Sequence, residues 1–157
     1  YALKTEKFAI REMPYFKIII IASSWLFLTC LLPLLIIDVK FGYGVFLHIV
    51  GQFCFIIAIT LPFDLRDFEI DKKSGLKTWP HLLGKVGTVV MSILLMLIFL
   101  ICEYKSSAIS TDFLYAITAM CLIVPILNYG AIKLKNEYYF LVLVDGMCLL
   151  LFLCTFL

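Results

Sequence analysis

Polar residues along this chain come in short clusters. Between the clusters run five apolar stretches, at about 18–37, 44–61, 86–102, 113–131 and 138–157. None alternates with a period of two, which excludes the strands of a membrane barrel. Each comes close to the roughly 20 helical residues that cross a bilayer. A helix satisfies its own backbone hydrogen bonds in hydrocarbon, so the pattern predicts helices. The expectation is an all-α, polytopic transmembrane bundle of five spans in a single membrane domain. No internal repeat or low-complexity linker interrupts it.

Composition strengthens this reading. With 64% hydrophobic and only 15% charged residues, the chain is too apolar for a water-soluble domain of its size. The placement of charge then gives an orientation. Lys4, Lys7, Arg11 and Lys17 precede or open the first span. Arg66, Lys72, Lys73, Lys77 and Lys85 follow the second, and Lys133 and Lys135 follow the fourth. The opposite side holds only Lys40 and Lys105. The positive-inside rule therefore puts the loop around residues 62–85 in the cytoplasm, and an odd number of spans puts the C-terminus across the membrane. The inner membrane of a bacterium is the expected location, and no feature points to nucleic acid. The cysteines lie scattered in apolar runs without a CxxC or Cys/His cluster and read as small apolar filler. The chain opens on Tyr1 without an initiator Met or a signal-peptide pattern, and it reads as part of a longer protein.

One polar cluster carries candidate chemistry. Residues 63–80 read FDLRDFEIDKKSGLKTWP. On a helix continuing past Pro62, Asp64, Asp67 and Asp71 fall within an arc of about 60°. Arg66, Glu69 and Lys73 fall opposite, where Glu69 can pair with Arg66 and Lys73. Pro62 either kinks the second span or starts a separate helix at its first turn. Gly75 is a natural stop, and Pro80 prevents simple continuation. Like charges stacked on one face repel, and a hard divalent cation with oxygen ligands offsets the cost. Mg²⁺ typically takes one or two carboxylates plus substrate phosphates. A solvated loop with no ligand is the plainer alternative.

Further candidates are weaker. Lys4, Lys7 and Arg11 repeat the i, i+3, i+7 spacing, which makes one cationic face on a helix. That face suits a diphosphate, or it is plain positive-inside anchoring. His48 and Gln52 lie one turn apart in the second span and either face a cavity or hydrogen-bond a neighbouring helix. Asp145 lies inside the last apolar run, where a pairing role is favoured over a wet cavity. Asn128 and Tyr129 lie toward the cytoplasmic end of the fourth span, where they are expected to border the site.

Asp64-Leu65-Arg66-Asp67-Phe68-Glu69-Ile70-Asp71, followed by Gly75, Lys77, Thr78 and Pro80, resembles the second aspartate-rich motif of the UbiA superfamily of membrane prenyltransferases. The family's D-x-x-x-D pair falls on Asp67 and Asp71, with Asp64 as an extra upstream acid. Its G-x-K-T/S element falls on Gly75, Lys77 and Thr78. Two spans before the motif and three after it match the last five helices of the nine-helix family fold. The specific match covers only 62–85. The family's first motif, N-D-x-x-D-x-x-x-D, has no counterpart in this chain.

The resemblance implies transfer of a prenyl group from a prenyl diphosphate to an aromatic or other lipophilic acceptor. It implies Mg²⁺ held by Asp67 and Asp71, with Asp64 as a ligand or supporting acid. Lys77, Lys4, Lys7, Arg11 and Asn128 are then candidate substrate contacts, although Lys77 also reads as a simple anchor. Taken alone, the chain is expected to lack half of the metal site and to be inactive. A non-catalytic or degenerate homologue is the alternative. A phosphotransferase of the CDP-alcohol type is disfavoured, because its D-G and A-R elements are missing around Asp64.

Overall fold

The structure is a computed structural model. It describes residues 16–73, 75–106, 111–134, 136, 138–144 and 146–154. Every regular element among the described residues is helical. Helix α1 covers Phe16–Ile36, α2 Tyr43–Arg66, α3 Phe68–Lys73, α4 Trp79–Lys105 and α5 Thr111–Lys133. A wide π turn at Tyr139–Val144 leads to α6, Gly146–Cys154.

Four of these helices are long and apolar enough to cross a membrane: α1, α2, α4 and the Phe113–Lys133 part of α5. The fifth expected span is represented by a shorter apolar stretch, Tyr139–Leu151. The first four expected spans thus coincide with real helices, but their ends differ. Helix α2 runs past residue 61 to Arg66, and α4 begins at Trp79 rather than near residue 86. The added turn at the start of α4 is set off from the rest of that helix by non-helical Gly84.

Helix α2 is the hub and packs against α1, α4 and α5. Ala22, Phe55, Ala58, Met96, Phe99, Ile117 and Val124 are buried between these helices. The Phe55 and Phe99 rings meet at 5.1 Å. Gly51 permits this closeness, since a Cβ there would stand 3.2 Å from Cys102 Cβ and 3.2 Å from Glu103 Oε1. Large apolar side chains such as Trp25, Phe46, Val90, Leu94, Ile101 and Leu122 face outward. In a bilayer that is the ordinary place for them, because lipid tails are as apolar as leucine.

Pro62 neither starts a helix nor ends one; it sits buried inside α2. It has no N–H for the carbonyl of Ala58 one turn earlier. Asn128 on α5 supplies the missing donor, with Nδ2 at 3.1 Å from the Ala58 oxygen. The same amide nitrogen lies 2.9 Å from Ser92 Oγ on α4 and 3.1 Å from the Val124 carbonyl. Asn128 is fully buried and ties three helices together.

The chain then breaks at Asp67, whose φ of −85° and ψ of 2° leave the helical region. The Asp67 carbonyl immediately receives Ile70 N and Asp71 N at 3.0 and 2.8 Å, which opens α3. The end of α3 is a glycine stop. Gly75 takes a φ of +76°. Gly75 N reaches the Lys72 carbonyl at 3.3 Å and Leu76 N reaches that of Asp71 at 2.9 Å, the paired bonds of a Schellman motif.

Thr78 caps α4 through a capping box with His81, and Pro80 occupies the first turn, where its missing N–H costs nothing. Gly84, with a φ of +73°, kinks α4 just beyond.

Candidate functional site

The acidic stretch assembles at one end of the bundle from three helices. Asp64 sits in the last turn of α2 and Asp71 near the end of α3. Both are buried, at 4% and 6% exposure. Lys17, from the first turn of α1, reaches between them. Its Nζ lies 3.2 Å from Asp64 Oδ1 and 3.7 Å from Asp71 Oδ2. Two carboxylates distant from Lys17 in sequence therefore share one ammonium group.

Asp67 does not join that pair. A single helix through residues 63–74 would have put all three acids on one face. With the chain broken at Asp67, Asp64 and Asp71 both reach Lys17, while Asp67 lines the neighbouring cavity and pairs with Arg66. Its carboxylate is held by Arg66, with Nε at 2.8 Å from Oδ1 and Nη2 at 3.3 Å from Oδ2. Arg66 also lies over the Phe63 and Phe140 rings, at 5.4 and 5.2 Å. Arg66, expected on the solvated face with Glu69, is part-exposed and pairs with Asp67. Glu69 and Lys73 are exposed, as expected.

A cavity of about 290 Å³ opens beside the pair, lined by Lys17, Asp67, Ile70, Asp71, Leu76, Lys77 and Thr78. Asp67, Asp71 and Lys77 all line this cavity. His81 holds its wall together. Its ring stacks on Phe68, with centroids 4.2 Å apart, and its Nε2 donates to the Phe68 carbonyl at 3.1 Å. Its Nδ1 faces the Thr78 hydroxyl at 2.8 Å. One imidazole therefore links α3 to the start of α4, on either side of the cavity wall.

The resemblance implies Mg²⁺, and the donor set fits it in part. Asp64 and Asp71 already converge from two helices on one cationic group, and Mg²⁺ needs only one or two carboxylates when phosphates complete its shell. The third expected ligand does not fit this arrangement, because Arg66 occupies Asp67. Among the described residues, no three His, Cys, Asp or Glu side chains stand close enough together to hold a metal ion.

Other expected site residues fall elsewhere. Lys4, Lys7, Arg11 and Asp145 lie outside the described residues. Asn128 was expected at the border of the substrate site. Its amide nitrogen is taken up by the bonds described above and the residue is fully buried, with Oδ1 left without a hydrogen-bond partner. Tyr129, its neighbour, is exposed.

A second polar cluster stands near the far end of the bundle, and its anchor escaped sequence reasoning. Glu103, in the last turn of α4, is only 1% exposed. His48 Nδ1 lies 2.9 Å from its Oε1 and 3.0 Å from its Oε2. Gln52 Nε2 donates to Oε1 at 3.3 Å. Of the two roles open to His48 and Gln52, hydrogen bonding to a neighbouring helix is the one realised. An acid at the end of an apolar run was the available signal for Glu103. For Lys17 it was a base at the very start of the first span.

Compared with protein-family models, with curated proteins and with solved structures, the chain matches none.

Proposed function

We propose that this chain forms the acidic side of the active site of an Mg²⁺-dependent membrane prenyltransferase. The enzyme would move a prenyl group from a prenyl diphosphate to an aromatic or other lipophilic acceptor. One observation carries the reading. Buried Asp64 and Asp71 converge on a single cation, Lys17, beside a cavity that Lys17, Asp71 and Lys77 line, at one end of an otherwise apolar bundle.

In this reading Asp64 and Asp71 hold the metal, and Asp67 follows only if Arg66 lets go. Bound Mg²⁺ would supply charge neutralisation for a departing diphosphate. Lys77 stands on the cavity wall, within the same space, to meet phosphate oxygens. The outward apolar helices suit an isoprenoid chain, which is hydrocarbon like the lipid around it. The basic residues flanking this end favour the cytoplasmic side for the cavity.

The experiment is consumption of a labelled prenyl diphosphate by purified full-length protein in detergent with Mg²⁺. Asp64→Asn and Asp71→Asn should each lower turnover by roughly a hundredfold or more, the scale of losing electrostatic stabilisation of the leaving group. Unchanged turnover in the double variant would overturn the assignment.

The Lys17 contacts also favour a second reading, a membrane protein whose acids act only structurally. Lys17 would then lock α1 to α2 and α3 permanently. Under it, the full-length protein consumes no prenyl diphosphate, and Asp71→Asn lowers thermal stability without any other effect.

A further inference from the structure

Two buried carboxylates facing one space repel each other when charged, and a cation between them offsets that repulsion. Lys17 provides it here, from a helix that contributes no acid to the pair. Its side chain is 39% exposed, whereas those of Asp64 and Asp71 are 6% and 8% exposed. The cation is therefore the accessible member, on a flexible four-carbon stem, and the acids are the fixed members. Lys17 also lines the cavity, so its ammonium can leave the pair for open space without moving α1. Among the described residues, the other charges lining the cavity are Lys77, Asp71 of the pair itself and Asp67, which is held by Arg66.

We propose that Lys17 is a tethered counter-ion that competes with a divalent cation for Asp64 and Asp71, so that the pair holds either the lysine or the metal. The inference rests on the metal-binding reading above and adds its regulation. An ammonium and a divalent ion cannot both lie within about 4 Å of the same two carboxylates without strong mutual repulsion. With Lys17 in place part of the negative charge of the pair is already offset, which weakens its attraction for a divalent ion. Loading then requires Lys17 to swing into the cavity. The lysine would keep the acids partly neutralised between turnovers and weaken capture of stray metal.

The test uses Mn²⁺ as the probe, with full-length protein in detergent and no prenyl diphosphate present. Free Mn²⁺ is counted by its electron paramagnetic resonance signal. Lys17→Met keeps the apolar stem and drops the charge, and it should bind Mn²⁺ on the order of tenfold more tightly than the unaltered protein. Lys17→Arg should bind no more tightly, and the gain should vanish in Lys17→Met/Asp71→Asn. Equal or weaker binding by Lys17→Met, or a gain that survives Asp71→Asn, would overturn the proposal.

Should Lys17→Met fail to fold, reductive methylation of the unaltered protein gives the same answer. Mn²⁺ should raise the rate of Lys17 modification, as located by mass spectrometry, and an unchanged rate sinks the idea. Turnover is measured separately. Exchange without prenyl diphosphate consumption would remove the enzyme reading and leave the competition standing. Consumption without exchange would do the reverse.

Discussion

Asn128 on α5 donates its side-chain amide to the carbonyl of Ala58 on α2, the group that Pro62 leaves without a helical donor. The proline interrupts α2 within an apolar bundle, where no water can repair the gap. The asparagine is the repair. It comes from a different helix, so the defect in α2 also fixes how α5 docks.

Asn128→Ala should therefore destabilise the protein by roughly 1–3 kcal/mol, the cost of an unsatisfied buried carbonyl. In a Pro62→Ala background the cost should fall, because an alanine in place of the proline returns a backbone N–H to the Ala58 carbonyl. Thermal unfolding of the two singles and the double in detergent gives the coupling. A coupling of about 0.5–1.5 kcal/mol is expected, and strictly additive costs would rule out the repair.

Glu103 and His48 make the same kind of prediction at the other end. His48→Leu removes the imidazole from a buried carboxylate and leaves it the Gln52 amide. The loss should be about 3 kcal/mol or more, as for a broken buried pair. The double variant His48→Leu/Glu103→Leu removes both partners and should be less damaged than His48→Leu alone. Unfolding midpoints compare them directly, and a double worse than the single would contradict a paired role.

His81 should control order in the cavity wall. His81→Ala removes the stack on Phe68 and the bonds to Phe68 and Thr78. Amide exchange in the segment 68–78 should speed up by roughly tenfold, the size of losing one or two net hydrogen bonds. Exchange in the centre of α2 should stay unchanged. His81→Phe should keep the stack and recover only part of the protection.

The orientation is open to chemical labelling. A cysteine at the exposed Lys72 should react with a membrane-impermeant maleimide only from the cytoplasmic side, once the exposed Cys148 is replaced by serine. A cysteine at Lys40, between α1 and α2, should react only from the opposite side. Labelling of both from one side would overturn both the crossing of α2 and the positive-inside assignment.

Much of this architecture was legible because it is local. An apolar run of about 20 residues reports a membrane helix whatever surrounds it. Four such runs matched helices long enough to span, and among the described residues the last is the shorter stretch Tyr139–Leu151. The glycine stop at Gly75 was equally readable, since backbone chemistry at one residue decides it, whereas Pro80 was read only as a bar to continuation and the helix start at Trp79 was not foreseen. The acidic triad was not. Its shared face assumed an unbroken helical phase, and the turn at Asp67 removes that assumption. Arg66, next in sequence to Asp67, then takes the carboxylate.

From the sequence alone came the class of protein, the place of its helices and the segment where its acids gather. Hydrophobic periodicity and charge bias act within a few residues, so a linear reading suffices for them. Only the tertiary structure decided which charges meet. Lys17 with Asp64 and Asp71, His48 with Glu103, and Asn128 with Ala58, 70 positions away, are all encounters between different helices. Their partners are chosen by how helices pack and how a buried polar group avoids being left alone, and neither is written at any single position of the chain.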